Sequence, residues 1–97
     1  MIADYLATGS DRALSARYLA TLLRCSTRDI TAGIERERRR GLPICASCNP
    51  ERPGYYLAET AEELRGYCDQ LERRAGEIDK TRIALLKAAA ELPTREA

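Results

Sequence analysis

Ser15-Ala-Arg-Tyr-Leu-Ala-Thr-Leu-Leu-Arg-Cys-Ser-Thr-Arg-Asp-Ile-Thr-Ala-Gly-Ile34 is the stretch on which the fold of this 97-residue chain turns. Two helical patterns meet in it across a very short break. Ser15 is a good N-cap, because its hydroxyl accepts from a first-turn backbone N–H, and Leu19, Leu22 and Leu23 then fall on one face. Arg24-Cys-Ser26 leaves room only for a tight turn. Ser26 caps a further helix, from Thr27 to about Arg40, with Ile30 and Ile34 one turn apart. Gly41 stands where a helix-ending glycine belongs, and Pro43 follows closely.

Upstream, Ile2, Tyr5 and Leu6 have helical spacing, which predicts a short helix from Met1 to Thr8, stopped by Gly9. Downstream the pattern becomes extended. Leu42-Pro-Ile-Cys-Ala46 and Gly54-Tyr-Tyr-Leu57 predict two strands, joined by a loop whose two prolines exclude further strand. Thr60-Ala-Glu-Glu63 is a capping box, and one long helix runs from Ala61 to about Leu92, where Pro93 ends it. At 1.5 Å per residue that helix is ~48 Å long, more than a small globule can cover. Its Leu64, Cys68, Leu71, Ala75, Ile78, Arg82, Leu85, Ala89 and Leu92 step by four and three alternately, which is a heptad seam.

Composition narrows the function. Hydrophobic residues make up 44% of the chain, but its aromatics are five tyrosines without Phe or Trp, so the core rests on Leu, Ile and Ala. Histidine is absent, and the sequence has neither a phosphate loop nor carboxylates paired in an evident pocket, so an enzyme is not expected. With no apolar run of membrane-spanning length and no secretory signal, a soluble cytoplasmic protein is expected. Charge is uneven although its total is only +1. Residues 1–58 hold nine arginines against six acids, net +3, whereas residues 59–97 hold seven basic residues against nine acids, net −2. The first part is thus the candidate anion-binding half.

Three helices, a two-stranded hairpin and a further helix give the element order of a winged helix-turn-helix. The fold class expected is therefore mainly α (α+β): three helices plus a two-stranded wing over residues 1–58, a long C-terminal helix over 59–92, and a tail over 93–97. The Ser15-to-Ile34 stretch resembles the helix-turn-helix of bacterial winged-helix repressors, with Leu19, Ala20, Leu23, Ile30 and Ile34 at the packing positions. More narrowly, Ile34-Glu-Arg-Glu-Arg-Arg-Arg-Gly-Leu-Pro-Ile-Cys-Ala46, Gly54-Tyr-Tyr-Leu57 and Glu-Glu-Leu64 resemble small winged-helix proteins of phages and prophages of low-GC Gram-positive bacteria, a group without a settled function. The resemblance spans about residues 2–90. Glu37 departs from it by replacing an aliphatic residue, and Thr31-Ala32 stand where repressors often carry basic residues.

The resemblance implies a DNA-binding protein, a transcriptional regulator or a replication-associated factor, that reads the major groove with helix 26–40. Candidate DNA contacts are Ser26, Thr27, Arg28, Thr31, Arg36, Arg39, Arg40 and, at the loop tip, Arg52. Arg28 has the reach for a bidentate guanine contact and Thr31 can meet a thymine methyl, while Arg36, Arg39 and Arg40 suit phosphates and Arg52 can reach an adjacent minor groove. Glu35 and Glu37 beside Arg39 and Arg40 allow a plainer reading of the same run, as a solvated face of ion pairs. A second class of function is a protein-interaction module on the same fold, an adaptor or inhibitor of a host complex, which the near-zero net charge favours.

Cys45-Ala-Ser-Cys48 has metal-knuckle spacing, but Cys25 and Cys68 form no second knuckle. Cys45 and Cys48 are weak metal candidates, the cysteines read better as small apolar residues, and no cofactor is expected. Leu71, Ile78, Leu85 and Leu92 on the long helix are the candidate dimerisation residues of a homodimer, because an exposed apolar stripe gains from burial.

Overall fold

A computed structural model describes residues 1–47 and 49–94 of the chain. It shows a mainly helical α+β protein, ordered α1 (Ala16–Leu23), α2 (Thr27–Arg39), β1 (Ile44–Ser47), β2 (Gly54–Leu57) and α3 (Ala61–Ala89), preceded by two 3-10 turns at Ile2–Tyr5 and Ser10–Arg12. The chain divides into two compact units, residues 1–67 and residues from 68 onward. The first turns of α3 belong to the former and the rest of that helix to the latter.

Local chemistry sets the two central helices. Ser15 Oγ accepts from Tyr18 N–H at 3.0 Å and opens α1. Ser26 Oγ accepts from Asp29 N–H at 3.0 Å while the Asp29 carboxylate accepts from Ser26 N–H at 3.2 Å, a reciprocal box that opens α2. Between them Arg24 adopts a left-handed conformation (φ 57°, ψ 50°), and Arg24 and Cys25 both donate backbone N–H groups to Ala20 C=O. This sharp reversal closes α1 without a glycine.

The first expected helix is corrected. Ile2–Tyr5 is one 3-10 turn, after which Leu6 is extended (φ −94°, ψ 143°). The segment leaves helix because its backbone is needed by the sheet: Leu57 N–H donates to Ala7 C=O at 2.9 Å and Gly9 N–H to Leu57 C=O at 3.2 Å. A few residues later Leu14 and Tyr55 exchange both backbone hydrogen bonds, at 2.9 and 2.8 Å. The outer edge of β2 is thereby covered. α3 ends at Ala89, three residues before the expected stop, and Leu22 is exposed although its spacing placed it on the apolar face of α1.

β1 and β2 pair antiparallel in the register Ile44–Leu57, Cys45–Tyr56, Ala46–Tyr55 and Ser47–Gly54. Alternation along the strands splits the core of this unit in two. One cluster joins Ile44 to Leu6, Leu19, Ala20, Ile30 and Ile34, with Tyr55 and Leu57 against it. The other joins Cys45, Tyr56 and Ala13 to Tyr67 of α3, with Leu64 alongside. From Leu71 to Thr94 every residue is exposed.

Candidate functional site

α2 is amphipathic in a way that assigns its two faces. Ile30, Gly33, Ile34 and Glu37 are buried, so the helical period puts Arg28, Thr31, Ala32, Glu35, Arg36 and Arg39 on the opposite, exposed side. Gly33 lies against Ile2: a Cβ built at Gly33 would stand 2.5 Å from Ile2 Cδ1, the end of a flexible side chain.

Of the expected contact residues, Ser26, Thr27, Arg28 and Thr31 cluster on the first turns of α2, all exposed. Two of their hydroxyls are already engaged. Ser26 Oγ caps the helix, and Thr31 Oγ1 donates to Thr27 C=O at 2.6 Å. Arg28 makes no hydrogen bond or ion pair among the described residues, so its five donors face solvent. Arg36, Arg39 and Arg40 gather at the other end of the helix, where they line a shallow depression with Met1 and Glu37. Cations suit that end because unpaired carbonyls make it negative. Arg39 also lies 3.6 Å from the Glu35 carboxylate, an exposed pair that holds its guanidinium only weakly.

Glu37 and Arg38 do something the sequence did not announce. The Glu37 carboxylate accepts from Ile2 N–H and Ala3 N–H, each at 2.8 Å, and binds the amino-terminal turn instead of pairing with Arg40. Arg38 turns inward. Its Nε donates to Ile44 C=O at 2.9 Å, its Nη2 to Tyr67 Oη at 3.0 Å, and its guanidinium lies 5.3 and 5.8 Å from the rings of Tyr67 and Tyr55. The Arg38 charge is spent on joining α2, β1 and the start of α3.

Arg52 stands apart from the α2 arginines. Its Nε donates to Ala13 C=O at 3.1 Å, so the side chain folds back along the hairpin and lines a second depression with Ser15, Tyr18 and Glu51. Cys45 is fully buried between the strands and the second cluster, whereas Cys25 and Cys68 are exposed, against the reading of all the cysteines as core. Cys48 lies outside the described residues. Among the described residues no group of Cys, Asp or Glu is disposed to hold a metal, and no helix is long and apolar enough to cross a membrane.

No family model matches the chain, and neither a curated protein nor a solved structure is significantly similar to it.

Proposed function

We propose that the chain is a DNA-binding protein of the winged helix-turn-helix kind, a phage- or prophage-type transcriptional regulator or replication-associated factor, with α2 in the major groove of double-stranded DNA. The observation that carries this reading is the exposed face of α2. Arg28 stands at its start and Arg36, Arg39 and Arg40 at its end, while the buried face is fixed to α1 and the 3-10 turn. A rigid helix with basic residues spread along one side suits a duplex: the ends meet phosphates and the first turns meet base edges. The packing of α1 on α2 through Leu19, Ala20, Ile30 and Ile34, and the β1–β2 hairpin after α2, support the same reading.

A second reading has its own support. Tyr18 and Leu22 are 53% and 47% exposed on α1, and Glu35 occupies the middle of the basic face. These features favour an interaction module that contacts a host protein instead of DNA.

Fluorescence anisotropy on a mixed-sequence duplex separates the two. About four phosphate contacts give an affinity loss on the order of a hundredfold between roughly 50 and 200 mM salt. The Arg28→Ala/Arg40→Ala variant is expected to lose most of that affinity while keeping its helical circular dichroism. A folded wild-type protein that binds no duplex at either salt concentration transfers the assignment to the protein-interaction reading.

A further inference from the structure

The second unit presents an apolar stripe that its own chain leaves bare. Leu71, Ile78 and Leu85 of α3 are 37%, 64% and 65% exposed, with Ala75 and Arg82 between them and Ala89 after them on the same face. Leu92, the expected last member, falls beyond the helix and adds nothing regular to the stripe.

The order of sizes along this face identifies the occupant. The face runs Leu71, Ala75, Ile78, Arg82, Leu85, Ala89, with a small alanine one step in from Leu71 and another at the far end. A parallel in-register mate sets like against like: Ala75 faces Ala75 of the second copy across a gap, and Arg82 faces a second Arg82. Reversing the mate removes both faults. With the two helices centred on Lys80, Leu71 lies over Ala89 of the second copy, Ala75 over its Leu85, and Ile78 over the stem of its Arg82. Every layer then combines a bulky group with a smaller or flexible one, as close packing requires.

Charge agrees with this arrangement. Arg82 Nε lies 2.8 Å from Asp79 Oδ1, and both residues sit beside the proposed twofold axis. In the antiparallel pair the two Asp79–Arg82 pairs meet there, so each guanidinium has two carboxylates within reach. The parallel pair has no such alternation. Leu86, 57% exposed, flanks the same side and extends the contact.

We infer that α3 binds a second copy of this chain, antiparallel and centred on Lys80, through layers of Leu71 on Ala89, Ala75 on Leu85, and Ile78 on Arg82. The stripe is its own complement when reversed, which is why a second copy, and not an unrelated helix, fits it. This inference does not rest on DNA binding and is tested without DNA.

Light scattering on the full chain during gel filtration is expected to give twice the 10.8 kDa of one copy. Orientation is read in a Cys25→Ser/Cys48→Ser/Cys68→Ser background carrying either Ala75→Cys or Leu85→Cys. After mild oxidation, the mixed variants are expected to yield a covalent dimer that neither yields alone. A monomer by light scattering overturns the inference. So does a covalent dimer formed by either variant alone, which marks a parallel mate, and so does a non-covalent dimer that the mixture fails to cross-link. Unchanged tyrosine emission in each variant, all five tyrosines lying in residues 1–67, shows that a negative result does not come from global unfolding.

Discussion

Both oxygens of Glu37 receive backbone N–H groups from a segment 34 and 35 residues earlier, and the side chain is only 7% exposed. An aliphatic residue at this place would fill the same volume and leave the N–H groups of Ile2 and Ala3 without acceptors. A buried donor without a partner costs about 1–3 kcal/mol, so Glu37→Ala and Glu37→Leu are each expected to destabilise the protein by about 2–4 kcal/mol. Glu37→Gln keeps one acceptor oxygen and is expected to cost less than either. Equilibrium urea unfolding checks this order, and a Glu37→Leu variant as stable as the wild type would show that the carboxylate does not hold the turn. Sequence reading cannot find such a role, because the two ends of the contact are far apart in the chain and the donors are backbone. It reached the identity of the buried face of α2 from Ile30 and Ile34, and stopped at Glu37, whose charge pointed to solvent.

At the scale of elements, legibility followed local chemistry. α1 and α2 were readable to within a residue because Ser15 and Ser26 make their caps with neighbours three positions away. The capping box at Thr60 is seen only in part: Thr60 Oγ1 accepts from Glu63 N–H, while the Glu63 carboxylate reaches back to Glu59 N–H instead of Thr60. The single-residue pairing of Leu14 with Tyr55 left no pattern, since one residue carries no periodicity. Its signature is Gly54, which has φ +133° and lies so close to Leu14 that a Cβ would run into that residue's backbone. Gly54→Ala is therefore expected to cost about 2–4 kcal/mol, by strain and by parting β2 from Leu14. Gly33→Ala meets only the tip of the Ile2 side chain, which can swing away, and gains about 1 kcal/mol of helix propensity. The two alanine variants are expected to separate clearly in thermal melts, with Gly33→Ala near the wild type. Equally large losses would mean that Ile2 cannot swing away from Gly33, and equally small ones that the Leu14 backbone yields at Gly54. Of the candidate site, the outward face of α2 was legible from its period. The inward turn of Arg38 and the fold-back of Arg52 were not, because each depends on a carbonyl supplied by another element.

For the whole molecule, the division of labour between the two units has a spectroscopic consequence. All five tyrosines lie in residues 1–67, whereas most of the longest helix lies beyond them. From Leu71 onward α3 has no buried side chain, and its exposed pairs, Lys80–Glu77 at 3.0 Å and Arg82–Asp79 at 2.8 Å, contribute only about 0.2–0.5 kcal/mol each. Most helical stability in proteins comes from a packed face, so under the proposed pairing the helicity of this segment depends on the second copy. Association is a mass-action term, and dilution removes it. The far-ultraviolet helical signal is thus expected to fall as the protein is diluted, while tyrosine fluorescence, which reports the Tyr55, Tyr56 and Tyr67 environment, holds steady. Leu85→Lys places a charge in the middle of the stripe and is expected to give the diluted spectrum at every concentration, again with unchanged tyrosine emission. Loss of both signals together would show that the two units fold as one cooperative block. Constancy of both, in the wild type and in Leu85→Lys alike, would show that α3 is stable without a mate, and the proposed pairing would lose its thermodynamic reason.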